Sequence, residues 1–204
     1  MNFLVILPLV FVMIGGPQIL SAIFLATSED WRRNSAAFVI GAALSISLVV
    51  TLAYFLGSGV RQGGSNRMVH VLVLVVLLGA MVHVYLKREE SEPPSWMGKL
   101  ETANPKLSFQ LGFLLMGFFP TDVLTSVSVG TYLAGQGDPL WYATGFVFLT
   151  LLFLALPSLA LVTIGDRAET LLPKVRTWMN THSWVVNELV LFVFVAITVT
   201  NIVG

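Results

Sequence analysis

Residues 107–134 read LSFQLGFLLMGFFPTDVLTSVSVGTYLA, and the middle of that stretch, Phe118-Phe119-Pro120-Thr121-Asp122, decides how the chain is read. About 20 apolar residues cross a bilayer as one helix, so this longer stretch predicts a tilted or interrupted span. Pro120 has no N–H to give to a helix, which predicts the interruption at that point. Asp122 follows near the centre. A carboxylate at that depth is costly, and such groups mark ion or substrate pathways. A second proline, in Gly15-Gly16-Pro17-Gln18, holds the matching place in the first apolar stretch.

Outward from these breaks the whole chain is apolar. Of 204 residues, 56% are hydrophobic and 11% charged, against about 25% charged in a soluble domain. Six stretches are long enough to cross a membrane: 3–26, 35–56, 68–86, 107–134, 140–164 and 184–203. Even the β-branched run 69–76 is expected to be helical, because an open strand in lipid leaves its backbone groups unpaired. The prediction is an all-α polytopic membrane protein, retained in the plasma membrane without cleavage of its first span. Zero net charge gives no electrostatic case for nucleic acid, and the absence of cysteine excludes disulfides, thiolate metal sites and dithiol relays. His70 and His83 stand about 20 Å apart along a helix, too far to share a metal. No nucleophile–base pair, phosphate loop or pair of catalytic carboxylates is present, so no enzyme activity, cofactor or metal is expected.

Basic residues give the orientation. Loops one, three and five carry Arg32, Arg33, Lys87, Arg88, Lys99, Lys106, Arg167, Lys174 and Arg176, whereas the opposite side has Arg61 and Arg67. This bias places the three odd loops in the cytoplasm and both termini outside. Within loop five, Leu171, Leu172, Val175, Trp178 and Met179 recur at helical spacing among Arg167, Lys174 and Arg176. They predict a helix over about 167–181 lying at the inner interface, with its basic side chains reaching lipid headgroups.

Three spans followed by three spans have opposite topologies, the plan of an inverted repeat. Superposing Pro17 on Pro120 carries Ser35 to Asp138 and Met68 to Leu171, so the halves match if the second carries the interfacial helix as an insertion. The domains expected are a first repeat over 1–86, a cytoplasmic linker over 87–106 and a second repeat over 107–204. In this plan the breaks at Gly15, Gly16, Pro17 and Pro120 meet at the bilayer midplane. Gln18 and Ser21 beside one break, and Thr121, Asp122, Thr125 and Ser126 beside the other, would line a substrate or ion site. Ser and Thr can instead bond to carbonyls a turn back, and Asp122 can pair with another helix. Burial disfavours a bare charge on Asp122, which suits H+ carriage; Na+ is the other candidate counter-charge. His83 and Glu188 are a candidate interfacial pair, Pro157 a candidate kink, and Asn187 and Asn201 candidate packing groups. A homodimer is the default assembly.

The residues also resemble a family. Gly15-Gly16-Pro17, followed by Gln18-Ile19-Leu20-Ser21-Ala22, is similar to the small-residue–proline break of LysE-type exporters. Leu111-Gly112-Phe113, the Pro157 span, Asp166-Arg167-Ala168-Glu169, the helix Leu171-Leu172-Pro173-Lys174-Val175-Arg176-Thr177-Trp178 and the closing span resemble the GAP branch of that superfamily. Its members are called peptidoglycolipid- or sulfolipid-addressing proteins. The resemblance implies six spans, an inverted repeat and export of a small solute or envelope lipid. Asn104-Pro105-Lys106 resembles the N-P-K before the matching LysE-type span, which implies that Asn104 and Lys106 stand at the cytoplasmic mouth. Gly-Gly-Pro-Gln replaces the exporters' fuller S-P-G-P break, which points away from amino-acid substrates. Missing cysteines and a missing His-rich loop point away from the thiol-reducing and the nickel and cobalt branches. The expected function is a secondary exporter working by alternating access. The alternative is a non-transporting scaffold for envelope-lipid assembly that docks through 87–106.

Overall fold

The structure, a computed structural model, describes residues 8–57 and 102–182. It also describes Ile6, Leu100 and single helical positions of the third and sixth predicted spans (75, 78, 82, 85 and 86; 185, 188, 192, 195 and 199). The rest of those two spans, His70, His83, Asn187, Asn201, Arg61, Arg67 and most of the 87–106 linker lie outside the described residues. All regular structure among the described residues is helical. In order it comprises α1 (Pro8–Ile14), α2 (Pro17–Ala26), α3 (Trp31–Gly57), α4 (Pro105–Phe118), α5 (Pro120–Gln136), a 3-10 turn (Leu140–Tyr142), α6 (Ala143–Ile164) and α7 (Asp166–Thr181). Trp31–Gly57 and Leu140–Ile164 are each long and apolar enough to cross a membrane, as are α4 and α5 taken together across their 65° bend.

Both breaks fall at the predicted prolines, but by a different physical route from a hydrogen bond lost inside a helix. Pro17 and Pro120 each occupy the first turn of the helix that follows, where the missing N–H costs nothing. What interrupts the chain is the residue before each proline, which is driven out of the helical region. Phe119 is extended at φ −70°, ψ 127°. Gly16 takes φ +89°, ψ −135°, a conformation that favours glycine. Pro157 behaves otherwise: α6 runs through it without interruption.

Helix α3, about 40 Å long by its 27 residues, is the spine. Gly41 lies so close to α4 that an added Cβ would overlap the Phe109 carbonyl. Gly112 meets the Phe38 carbonyl in the same way. Further along, Gly117 abuts Ser45, Gly130 abuts Val50 and Ala53, and Gly57 abuts Thr131. The paired numbers rise together, so α3 runs parallel to α4 and α5. Small residues let such backbones touch, which is how helices gain contact energy where lipid is as apolar as the partner.

The two ends of this pair are fixed by different groups. At the start of α3, the buried Asn34 amide donates to Ser28 Oγ and to the Ala103 carbonyl, both at 2.9 Å. At the other end Tyr54 Oη donates to the Asp138 carbonyl at 3.0 Å. Helix α6 packs against α1, α2 and α3, with Phe153 5.7 Å from Phe11 between ring centroids. Gly165, at φ +47°, turns the chain into α7. A helix therefore stands over Asp166–Thr181, where the spacing predicts one. It buries Ala168, Leu172 and Met179 and leaves Leu171 and Trp178 about half exposed. The Arg176 guanidinium lies 3.7 Å over the ring of buried Phe24 on α2. Loop one, the approach to α4 and the helix of loop five thus share one end of the bundle.

Candidate functional site

Helices α2 and α5 begin at their prolines and diverge to opposite ends of the bundle, so their N-termini face each other in its middle. The depth follows from α3: Gly117, just before the second break, sits against Ser45 near the midpoint of that helix. Gln18 is the second residue of α2, and Asp122 the third of α5. Their side chains join across the gap, Gln18 Nε2 donating to Asp122 Oδ2 at 2.5 Å. Both residues are 0% exposed.

The positive ends of two helix dipoles therefore converge on one carboxyl, a geometry that holds negative charge away from water. No lysine or arginine among the described residues pairs with Asp122. Within the same pair, Gln18 Oε1 and Asp122 Oδ1 have no hydrogen-bond partner. Ser126 Oγ, one turn further along α5 on the Asp122 face, has none either. Buried polar atoms are normally satisfied, so three orphans around one acid require an explanation.

The other predicted residues divide. Ser21 Oγ donates to the Pro17 carbonyl at 2.6 Å and Thr125 Oγ1 to the Thr121 carbonyl at 2.7 Å. Each hydroxyl thus satisfies a carbonyl at the start of its own half-helix. Thr121 is half-buried beside Asp122. Gly15 is half-buried, and Gly16 packs 3.4 Å from Gln18 Oε1, measured from where its Cβ would stand. Asn104 caps α4: its Oδ1 accepts the Leu107 N–H at 2.9 Å, with Pro105 next at the first turn. The Asn-Pro-Lys triplet is thus a helix start, with Lys106 exposed on it at the end that holds loop one. Glu188 has one unpartnered buried oxygen, and its proposed partner His83 lies outside the described residues.

Two polar residues are not visible from sequence alone. Ser45 is 1% exposed with an unpartnered hydroxyl against Gly117, and Asn34 is 0% exposed with its Oδ1 unpartnered. Spacing within span two marks neither. Among the described residues no cluster of His, Asp and Glu could hold a metal.

Two broken helices that meet through a buried acid–amide pair, beside apolar helices of membrane-crossing length, define a helical membrane protein with a polar centre. The chain belongs to the family of Sap, sulfolipid-1-addressing protein, whose model matches residues 6–203. No curated protein and no solved structure matches it.

Proposed function

We propose that the chain is a secondary transporter exporting a small solute or envelope-lipid component by alternating access, coupled to H+ or Na+. The family name makes a sulfolipid the first substrate to try. One observation carries this reading: the acid–amide pair at the junction of the two half-helices, fully buried and with unpartnered oxygens. A scaffold needs polar groups only as glue, and a carboxylate is a costly choice of glue at that depth. The direct Gln18–Asp122 contact, which joins the two breaks, fits the occluded stage of alternating access.

Parallel packing of α3 with α4 and α5 supports the six-span plan. The connection 58–99 starts at one end of the bundle and finishes at the other, so the plan has a crossing between them. The two halves then form an inverted repeat, in keeping with kinship to LysE-type exporters. Loops one, three and five face the cytoplasm in this reading, both termini face outward, no chemistry is catalysed, and two copies form a dimer.

The test is complementation of a strain lacking this chain, with sulfated lipid measured at the cell surface. Asp122→Asn should lower export at least about tenfold, since hydrogen bonds to charged groups contribute about 1.5–3 kcal/mol. Replacing 87–106 with a neutral linker of equal length should leave export intact. The opposite pattern, full export by Asp122→Asn and none with the neutral linker, would establish the scaffold instead.

A further inference from the structure

We infer that the coupling ion is a proton, carried on Oδ1 of Asp122 and held there by Oε1 of Gln18, so that loading the proton closes the latch between the two half-helices. This inference rests on the transport reading above and names the ion of the same site.

A hard cation such as Mg2+ or Ca2+ gathers about six oxygens or more. Around the pair, the buried side-chain oxygens without a partner among the described residues are Gln18 Oε1, Asp122 Oδ1 and Ser126 Oγ. The hydroxyls of Ser21 and Thr125 are turned back to Pro17 and Thr121. The two side chains are also in direct contact through an amide N–H. A proton asks for much less: one oxygen to receive it and one acceptor to share it.

Glutamine suits both stages of such a cycle. Its amide donates through Nε2 and accepts through Oε1 whatever the pH. With Asp122 ionised, Nε2 holds Oδ2 while Oδ1 and Oε1 are two acceptors without a donor. A proton from water forms an O–H bond at Oδ1, that O–H donates to Oε1, and the acid and amide close a ring of two hydrogen bonds. Release returns the proton to water, and nothing is oxidised or reduced. Loading therefore satisfies two orphans and tightens the contact between α2 and α5.

Among the described residues, the elements packed on α5 place no other charged or titratable side chain beside Asp122. Of the elements packed on α5, α1 carries no charged or titratable side chain. Arg32 and Arg33 on α3 and Lys106 on α4 lie at the loop-one end. Tyr54 and Tyr142 lie at the other, Tyr54 holding the Asp138 carbonyl. Tyr132, on α5 itself, is more than two turns beyond Asp122. Helix α2 has no titratable group.

The experiment is infrared difference spectroscopy on the full chain in lipid nanodiscs, stepping pH in potassium and then in sodium buffer. A protonated-carboxyl C=O band that shifts in D2O should appear, be lost in Asp122→Asn and move to higher frequency in Gln18→Leu, where the acid loses its amide. Thermal unfolding of each variant shows that it is folded. Sodium should leave the band unchanged. Sodium removing the band, or the band surviving Asp122→Asn and disappearing in Glu188→Gln, overturns the inference. The spectrum needs no transport assay, so the two readings fail separately. The predicted bands without lipid movement sink export and keep the proton site. Export driven by sodium with no carboxyl band does the reverse.

Discussion

Asp122 was legible because a carboxylate is rare in apolar sequence, and Gln18 because it follows the matching proline. Their direct bond was not legible, since 104 residues separate them. Ser21 and Thr125 lie on the predicted faces, each hydroxyl donating to a carbonyl of its own helix. A hydroxyl can satisfy itself one turn back, whereas a carboxylate, being acceptor-only, cannot. Asn34 was invisible because its partner, the Ala103 carbonyl, belongs to a distant loop. Asn34→Ala should lower stability by about 1–2 kcal/mol, the worth of a buried hydrogen bond whose partner is stranded, read by thermal unfolding in detergent. Tyr54→Phe should cost about 1 kcal/mol or less, because the Asp138 carbonyl keeps access to water.

At the scale of the element, prolines located the breaks, yet the residues that bend are Gly16 and Phe119. Pro120→Ala lifts the restriction on Phe119 and lets α4 run on into α5. The expected outcome is an unfolding temperature no lower than wild type with export down about tenfold, the effect of about 1.4 kcal/mol. Unchanged export would mean that the bend is incidental. The glycines are harder to read. In the sequence they are scattered without a strict repeat, because their spacing serves contacts with another helix rather than a pattern along their own. Gly41→Ala and Gly112→Ala each push a methyl into a carbonyl of the partner. Each should destabilise by about 1–3 kcal/mol, as overpacking does. Gly137, whose added Cβ would meet nothing within 4 Å, suffers only from its φ of +70°. Its alanine variant should lose about 1–2 kcal/mol, the strain of a left-handed residue.

Across the whole molecule, the distribution of lysine and arginine foretold which segments gather at one end, because charge sorting acts on whole loops and needs no knowledge of contacts. It did not foretell that α7 would be tied to the broken first span through Arg176 and Phe24. Helix α7 shows Arg167, Leu171, Lys174 and Trp178 along one exposed stripe, beside the buried stripe that packs on α2 and α6. Arg167→Gln with Lys174→Gln should cut the rise in unfolding temperature produced by added anionic lipid, each charge being worth about 1 kcal/mol at a membrane surface. The two half-helices that meet at Asp122 are also unequally held. Eight of the ten residues of α2 are buried, against six of the seventeen in α5. One is a post set in its socket, the other a rail fastened along one flank to α3 beyond the bend at Phe119. In the proposed transport cycle, the side of the latch with less of its surface covered is the one expected to give way, with Asp122 riding near its bend.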